Sequence, residues 1–129
     1  MTALHTLGVA EVAALVQRRE VSPVEVASAC LACLEALEPT LQAWVTVDRH
    51  GALAAAKHCE QAMQQGDRIG ALAGVPVGPK DIIYTAGLRT AAGSRVYANF
   101  VPTYDATVTV RLQQAGAIIL GKTVTTEFA

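Results

Sequence analysis

The stretch Gly74 to Ile83, GVPVGPKDII, ends an apolar run on a lone lysine, Lys80, behind Pro76, Gly78 and Pro79. A lysine ammonium has a pKa of roughly 10.4 and is a poor base at neutral pH. Desolvation penalises the charged form, so a surround of Val75, Val77, Ile82 and Ile83 would favour a neutral amine able to take a proton from a serine. Serine–lysine pairs are a known variant of the catalytic triad. The prolines restrict the backbone and the glycines allow close approach, so the segment can hold a side chain in one place. The plainer alternative is a lysine at a strand end, with its stem along the core and its head in water. Sequence pattern alone leaves both open.

Other reactive residues give weaker signals. The serines are Ser22, Ser28 and Ser94. Ser22 reads as a helix cap, Ser28 lies within a helix, and Ser94 belongs to an "AAGS" turn from which it could approach Lys80, but no oxyanion donors accompany it. Cys30 and Cys33 form C-x-x-C, and His58 with Cys59 could complete a zinc set, yet both pairs fall in helical sequence without the turn of a zinc knuckle. No metal site is expected. His5 and His50 read as surface or capping residues. The run from Gly116 to Thr123, GAIILGKT, matches the phosphate-binding G-x-x-x-x-G-K-T spacing. Here, however, the pattern covers a strand, whereas a phosphate loop follows a strand and opens a helix. Trp44, Tyr84, Tyr97, Phe100 and Tyr104 are too scattered for a nucleic-acid stacking platform and read as core and pocket packing.

The elements that must position Lys80 follow from periodicity and punctuation. Val9, Val12, Leu15 and Val16 share one helical face, and Val24, Ala27, Leu31, Leu34 and Leu37 share another. Ser22, Pro23 and Glu25 form a helix start with an S-x-x-E capping box, and Pro39 marks the expected end. A short apolar piece, LQAWVTV, follows. Asp48 is expected to cap a third helix that Gly66 stops. Beyond it, closely spaced Gly and Pro residues from Gly70 to Gly93 exclude a long helix. From Thr103 or Asp105 as cap, ATVTVRLQQAG reads as a helix that Gly116 stops before the apolar strand Ala117 to Gly121. A strand over Val75 to Ile83 would then lie parallel to it across a helical crossover. Such a sheet needs more strands and more cover than the chain supplies.

At 129 residues and 52% hydrophobic, the chain fits one folded domain. A net charge of −1 without long charged runs argues against nucleic acid as a partner and favours a small molecule. Glu11 interrupts the first apolar stretch, so no signal peptide is read, and no later segment has the length of a membrane span. Three cysteines give no disulfide framework. Soluble and cytoplasmic is the expectation.

Three segments together resemble one family. LAGVPVGPKDIIYTAGLRTAAGS, then PTYDATVTVRLQQAGAIILGKTVTTEFA, preceded by SPVEVASACLACLEALEPTLQAWVTVD, resemble in order the N-terminal part of amidase signature enzymes and cover nearly the whole chain. That family hydrolyses carboxylic amides with a Ser–cis-Ser–Lys triad on an α/β fold, a mixed sheet surrounded by helices. The resemblance implies that Lys80, the lysine of G-V-P-x-x-x-K-D, is the general base. Neutral Lys80 would accept a proton relayed from the nucleophilic serine through the bridging serine. An acyl-enzyme would form, ammonia or an amine would leave, and water would release the acid. No metal or organic cofactor is implied. The Gly/Ser-rich segment that carries the two serines is absent from these 129 residues. Pro79 is a smaller departure, standing where many relatives carry an aliphatic residue.

The expectation is therefore a single partial domain over 1–129, helical over 1–66 and α/β over 67–129, with the helices packed on part of a mixed sheet. Lys80 is its catalytic residue, a small-molecule amide its substrate in the longer protein, and no membrane or nucleic acid its partner; homo-oligomerisation is left open. The alternative is a shortened, noncatalytic chain that binds or assembles with another.

Overall fold

A computed structural model describes residues 3–129; the first two residues of the expected helical half lie outside it. After a 3-10 turn at Leu4–Thr6 come α1 (Val9–Gln17), α2 (Pro23–Leu41), β1 (Trp44–Val47) and α3 (Arg49–Gln65). Then follow β2 (Pro76–Val77), a 3-10 turn at Arg95–Tyr97, α4 (Thr107–Gln114), β3 (Ile118–Ile119) and β4 (Gly121–Thr123).

The helix signals act as their chemistry requires. The Ser22 hydroxyl accepts hydrogen bonds from the amides of Val24 and Glu25, and the Glu25 carboxylate accepts from the Ser22 amide, completing the capping box of α2. Asp48 accepts from the Gly51 amide at the start of α3, and Gly66 closes that helix at φ 80°, a left-handed conformation glycine enters without a Cβ clash.

Two sequence expectations fail at helix ends. Pro39 does not end α2, which runs on to Leu41 and closes on Gln42 at φ 49°. A proline cannot bond the carbonyl four residues back, but that carbonyl belongs to Glu35 on the exposed face. At α4 neither Thr103 nor Asp105 caps; the flanking residue is Ala106, without a side-chain cap, and the Asp105 carboxylate accepts from the Ala86 amide.

The core forms in two parts. Val12, Ala13 and Val16 of α1 meet Val26 of α2, Met63 of α3, and Ala73 and Val75 before β2. Ala27 and Leu31 of α2 meet Ala52 and Ala56 of α3 and Ile118 and Leu120 around β3. Three fully buried alanines let α2 and α3 approach closely enough to enclose Leu31. The expected helix faces are shifted: Val9 and Leu37 are exposed, while Ala13 and Val26 are buried.

β2 and β3 pair parallel, Pro76 with Ile118 and Val77 with Ile119, as expected for the two flanks of a crossover. The strand expected over Val75 to Ile83 is confined to Pro76–Val77, with one further parallel bridge between Lys80 and Thr123. The second apolar strand is split at Leu120. Beyond it, β4 pairs antiparallel with β1, Val47 opposite Gly121 and Trp44 opposite Thr123. A strand from the helical half thus backs the ladder that carries Lys80.

Candidate active site

The approach to Lys80 is fixed by backbone bonds. The Ile118 amide donates to the Val75 carbonyl at 2.8 Å and the Leu120 amide to the Val77 carbonyl at 2.9 Å. The next rung would need an amide on Pro79, which has none. The Leu120 carbonyl instead accepts from the Asp48 amide at 2.8 Å, so the missing donor leaves nothing unpaired there. Gly78 passes directly under the Trp44 indole: a Cβ on it would lie 2.5 Å from Cη2 of the ring.

Thr123 then brackets Lys80. Its amide donates to the Pro79 carbonyl at 3.0 Å, and its carbonyl accepts from the Asp81 amide at 2.9 Å. Only the carbonyl of Pro79 is used, which is why proline fits. Successive side chains of an extended segment leave opposite faces. Pro79 and Asp81 accordingly point inward and are buried, and Lys80 points outward and is exposed. The apolar surround expected from Val75, Val77, Ile82 and Ile83 does not enclose Lys80: Val75 belongs to the first core cluster and Ile82 is itself exposed.

The buried lysine is another, one that sequence pattern did not single out. Lys122 in β4 is 0% exposed and Asp81 1% exposed. The Lys122 ammonium donates to the Ile83 carbonyl at 2.7 Å and to the Thr90 hydroxyl at 2.8 Å; that hydroxyl donates onward to the Leu88 carbonyl at 3.2 Å. Lys122 Nζ stands 3.6 Å from Asp81 Oδ1, an attraction between charges rather than a direct hydrogen bond, and Oδ1 accepts no other. Asp81 Oδ2 accepts from the Ala91 amide at 3.0 Å, and the Asp81 carbonyl from the Ala92 amide at 2.9 Å. Burial pushes the Lys122 pKa below its ordinary value, and the Asp81 carboxylate opposes that fall. The available signal was a lysine closing the apolar run AIILG, where a solvent-facing side chain is not expected.

Ser94 is committed elsewhere. It is buried, its hydroxyl donating to Glu127 Oε1 at 2.7 Å and accepting from the Val96 amide. With the bond from the Phe128 amide to the Ala92 carbonyl, this ties the AAGS turn to the TTEFA segment. Ser22 caps α2 and Ser28 is exposed on it. An open cavity in this half is lined by Ile82, Tyr84, Thr90, Tyr97, Phe100 and Phe128, so three of the aromatic residues read as packing line a pocket, while Tyr104 is exposed.

The remaining motif residues are structural in this arrangement. Cys30 and Cys59 pack against the first core cluster, where burial raises both thiol pKa values. Among the described residues no three His, Cys, Asp or Glu side chains converge as a metal site would require. The G-K-T run is strand β4 with its lysine buried, unlike a phosphate loop, whose lysine must reach a ligand. No helix among the described residues is long and apolar enough to cross a membrane.

Comparison with known proteins agrees with this arrangement. A family model described as Amidase matches residues 25–129. A glutamyl-tRNA(Gln) amidotransferase subunit from Carboxydothermus hydrogenoformans is 44% identical over 126 residues, 98% of this chain and 26% of the relative. Among solved structures, the peptide amidase of Stenotrophomonas maltophilia is 33% identical with a TM-score of 0.89, over 96% of this chain and 26% of that one. A bacterial aryl acylamidase of the amidase signature family is 26% identical with a TM-score of 0.90, over 98% of this chain and 27% of that one. The chain thus spans about a quarter of the length of the relatives it matches. In both sequence and fold, helices packed on part of a mixed sheet, the chain belongs to the amidase signature family.

Proposed function

We propose that this chain is the N-terminal quarter of an amidase that hydrolyses carboxylic amides to an acid plus ammonia or an amine, and that Lys80 is its general base. The observation that carries this reading is the bracketing of Lys80 by Thr123, which holds its backbone by two hydrogen bonds and leaves its side chain on an exposed face. In the reaction, Lys80 takes the proton that a bridging serine passes on from the nucleophilic serine. The nucleophile attacks the amide carbonyl, the amine leaves with a proton returned by Lys80, and water cleaves the acyl-enzyme. Both serines belong to the Gly/Ser-rich segment of the family and must come from residues beyond these 129. The segments that carry them would also cover Lys80 and desolvate its amine, which this chain alone does not. The substrate is a small-molecule amide and the compartment the cytoplasm.

The test joins this chain to the remaining segments of the peptide amidase and follows hydrolysis of a peptide amide. Lys80→Ala is expected to lower kcat by about a thousandfold or more, and Lys80→Arg equally, since a guanidinium does not give up its proton. Unchanged turnover in either variant refutes the assignment. A second reading, a noncatalytic chain that assembles with another protein, draws on the exposure of Val96, Tyr97 and Phe128 and on the subunit role of the tRNA amidotransferase relatives. It would be favoured by recruitment of a partner together with a joined enzyme that never hydrolyses amides.

A further inference from the structure

The Lys122–Asp81 pair lies at the heart of the loop that follows Lys80, and nothing in the proposed reaction uses it. Replacing a buried ion pair by apolar residues of similar volume is often neutral or stabilising, so stability alone gives little reason to keep one. The placement of this pair is specific. Asp81 follows Lys80 directly in sequence, and Lys122 precedes Thr123, the residue that brackets Lys80. Each half of the pair is therefore one residue from one half of the bridge. The ammonium of Lys122 also gathers the Ile83 carbonyl and the Thr90 hydroxyl, while the Asp81 carboxylate holds the Ala91 amide.

We propose that Asp81 and Lys122 are positioning residues that fix the register and direction of Lys80. Because neighbouring side chains leave opposite faces, anchoring Asp81 inward on Lys122 leaves Lys80 only the outward face. A slip of one residue would exchange the two, burying Lys80 and exposing Asp81. The pair makes that slip costly, since it would leave Lys122 in the core without its carboxylate and bring a second ammonium in beside it.

This inference rests on the reading of Lys80 as the base, and the experiment separates the two. In the enzyme completed with the peptide amidase segments, Asp81→Asn, Lys122→Met and the double variant are compared with Lys80→Ala by Tm, kcat and KM. Each of the three is expected to lower kcat by about ten- to a hundredfold with KM nearly constant, as a misplaced catalytic group does. The double variant, which leaves no unpaired buried charge, should recover much of the Tm lost in the singles without recovering kcat. Recovery of kcat along with Tm, or wild-type kcat in the double variant, overturns the proposal and leaves Lys80 as the base. Turnover that survives Lys80→Ala overturns both.

A measurement on the 129-residue chain itself keeps the proposal falsifiable if the joined variants do not fold. Lys122→Met should reduce hydrogen-exchange protection of the Asp81 and Thr123 amides by about tenfold or more relative to amides of α3. Equal protection in the wild type and the variant would overturn the clamp.

Discussion

Lys80 and Lys122 lie on the two strands of one bridge, near a single carboxylate, and occupy opposite environments: Lys80 faces outward, while Lys122 is wholly enclosed. Burial lowers the pKa of Lys122 below the value of about 10.4 for a free lysine, as far as Asp81 allows. Between the lowered folded value and the unfolded one, the unfolded chain holds a proton that the folded chain has released, so the Lys122 contribution to stability rises with pH. Below that window the penalty for the buried charge is constant. Urea unfolding from pH 8 to 10 should therefore show a rising difference in stability between the wild type and Asp81→Asn/Lys122→Met. Parallel pH profiles would mean that Lys122 titrates alike in both states. Sequence pattern singles out Lys80 because its motif is contiguous. It missed Lys122 because the carboxylate that permits its burial lies far away in the chain, and of the two environments it left open for Lys80 the structure has the exposed one, since Val75 serves the core and Ile82 faces solvent.

Single elements were legible where the controlling chemistry is local. The capping box of α2, the Asp48 cap and the Gly66 stop of α3 each involve residues within one helical turn, and all form as expected. Expectations failed where a distant group intervened. Asp105 is drawn off to the Ala86 amide, and the extended run after β2 breaks because its next rung falls on Pro79 while Asp48 takes the Leu120 carbonyl. The contact of Gly78 with Trp44 was equally hidden, since β1 reaches that strand only through its pairing with β4. A methyl group at Gly78 would meet the indole at 2.5 Å, and either the ring or the strand must move. Gly78→Ala should destabilise the chain by about 1–3 kcal/mol, the usual cost of overpacking, measured by urea unfolding. Adding Trp44→Leu, which removes the ring, should recover part of that loss. An alanine variant as stable as the wild type would show that the indole does not press on this backbone.

At the scale of the whole molecule, the described residues form two small sheets of two strands each, in a chain about a quarter as long as the relatives it matches. A two-stranded ladder is marginal in water without packing on its faces. Here α2 and α3 supply that packing through Leu31, Ala52 and Ala56 against Ile118 and Leu120. Among the described residues, an aromatic group lies outside both core clusters. Rings of Phe128, Tyr97, Phe100, Tyr84 and Tyr104 follow one another with centroids 5.3–5.8 Å apart, and Val96 beside them is 83% exposed. Isolated apolar residues on a surface are ordinary, whereas a contiguous apolar group marks a place where something packs. The 129-residue chain should accordingly bind a hydrophobic dye and self-associate with rising concentration. Val96→Ser with Phe128→Ser should weaken both effects without changing helical circular dichroism, because neither residue lies in an α-helix or a core cluster. Joining the chain to the peptide amidase segments should remove them altogether, since those segments would pack against this group. Dye binding that persists in the joined enzyme would instead make the aromatic group a surface for a separate protein, and would move weight from the amidase reading to the assembly reading.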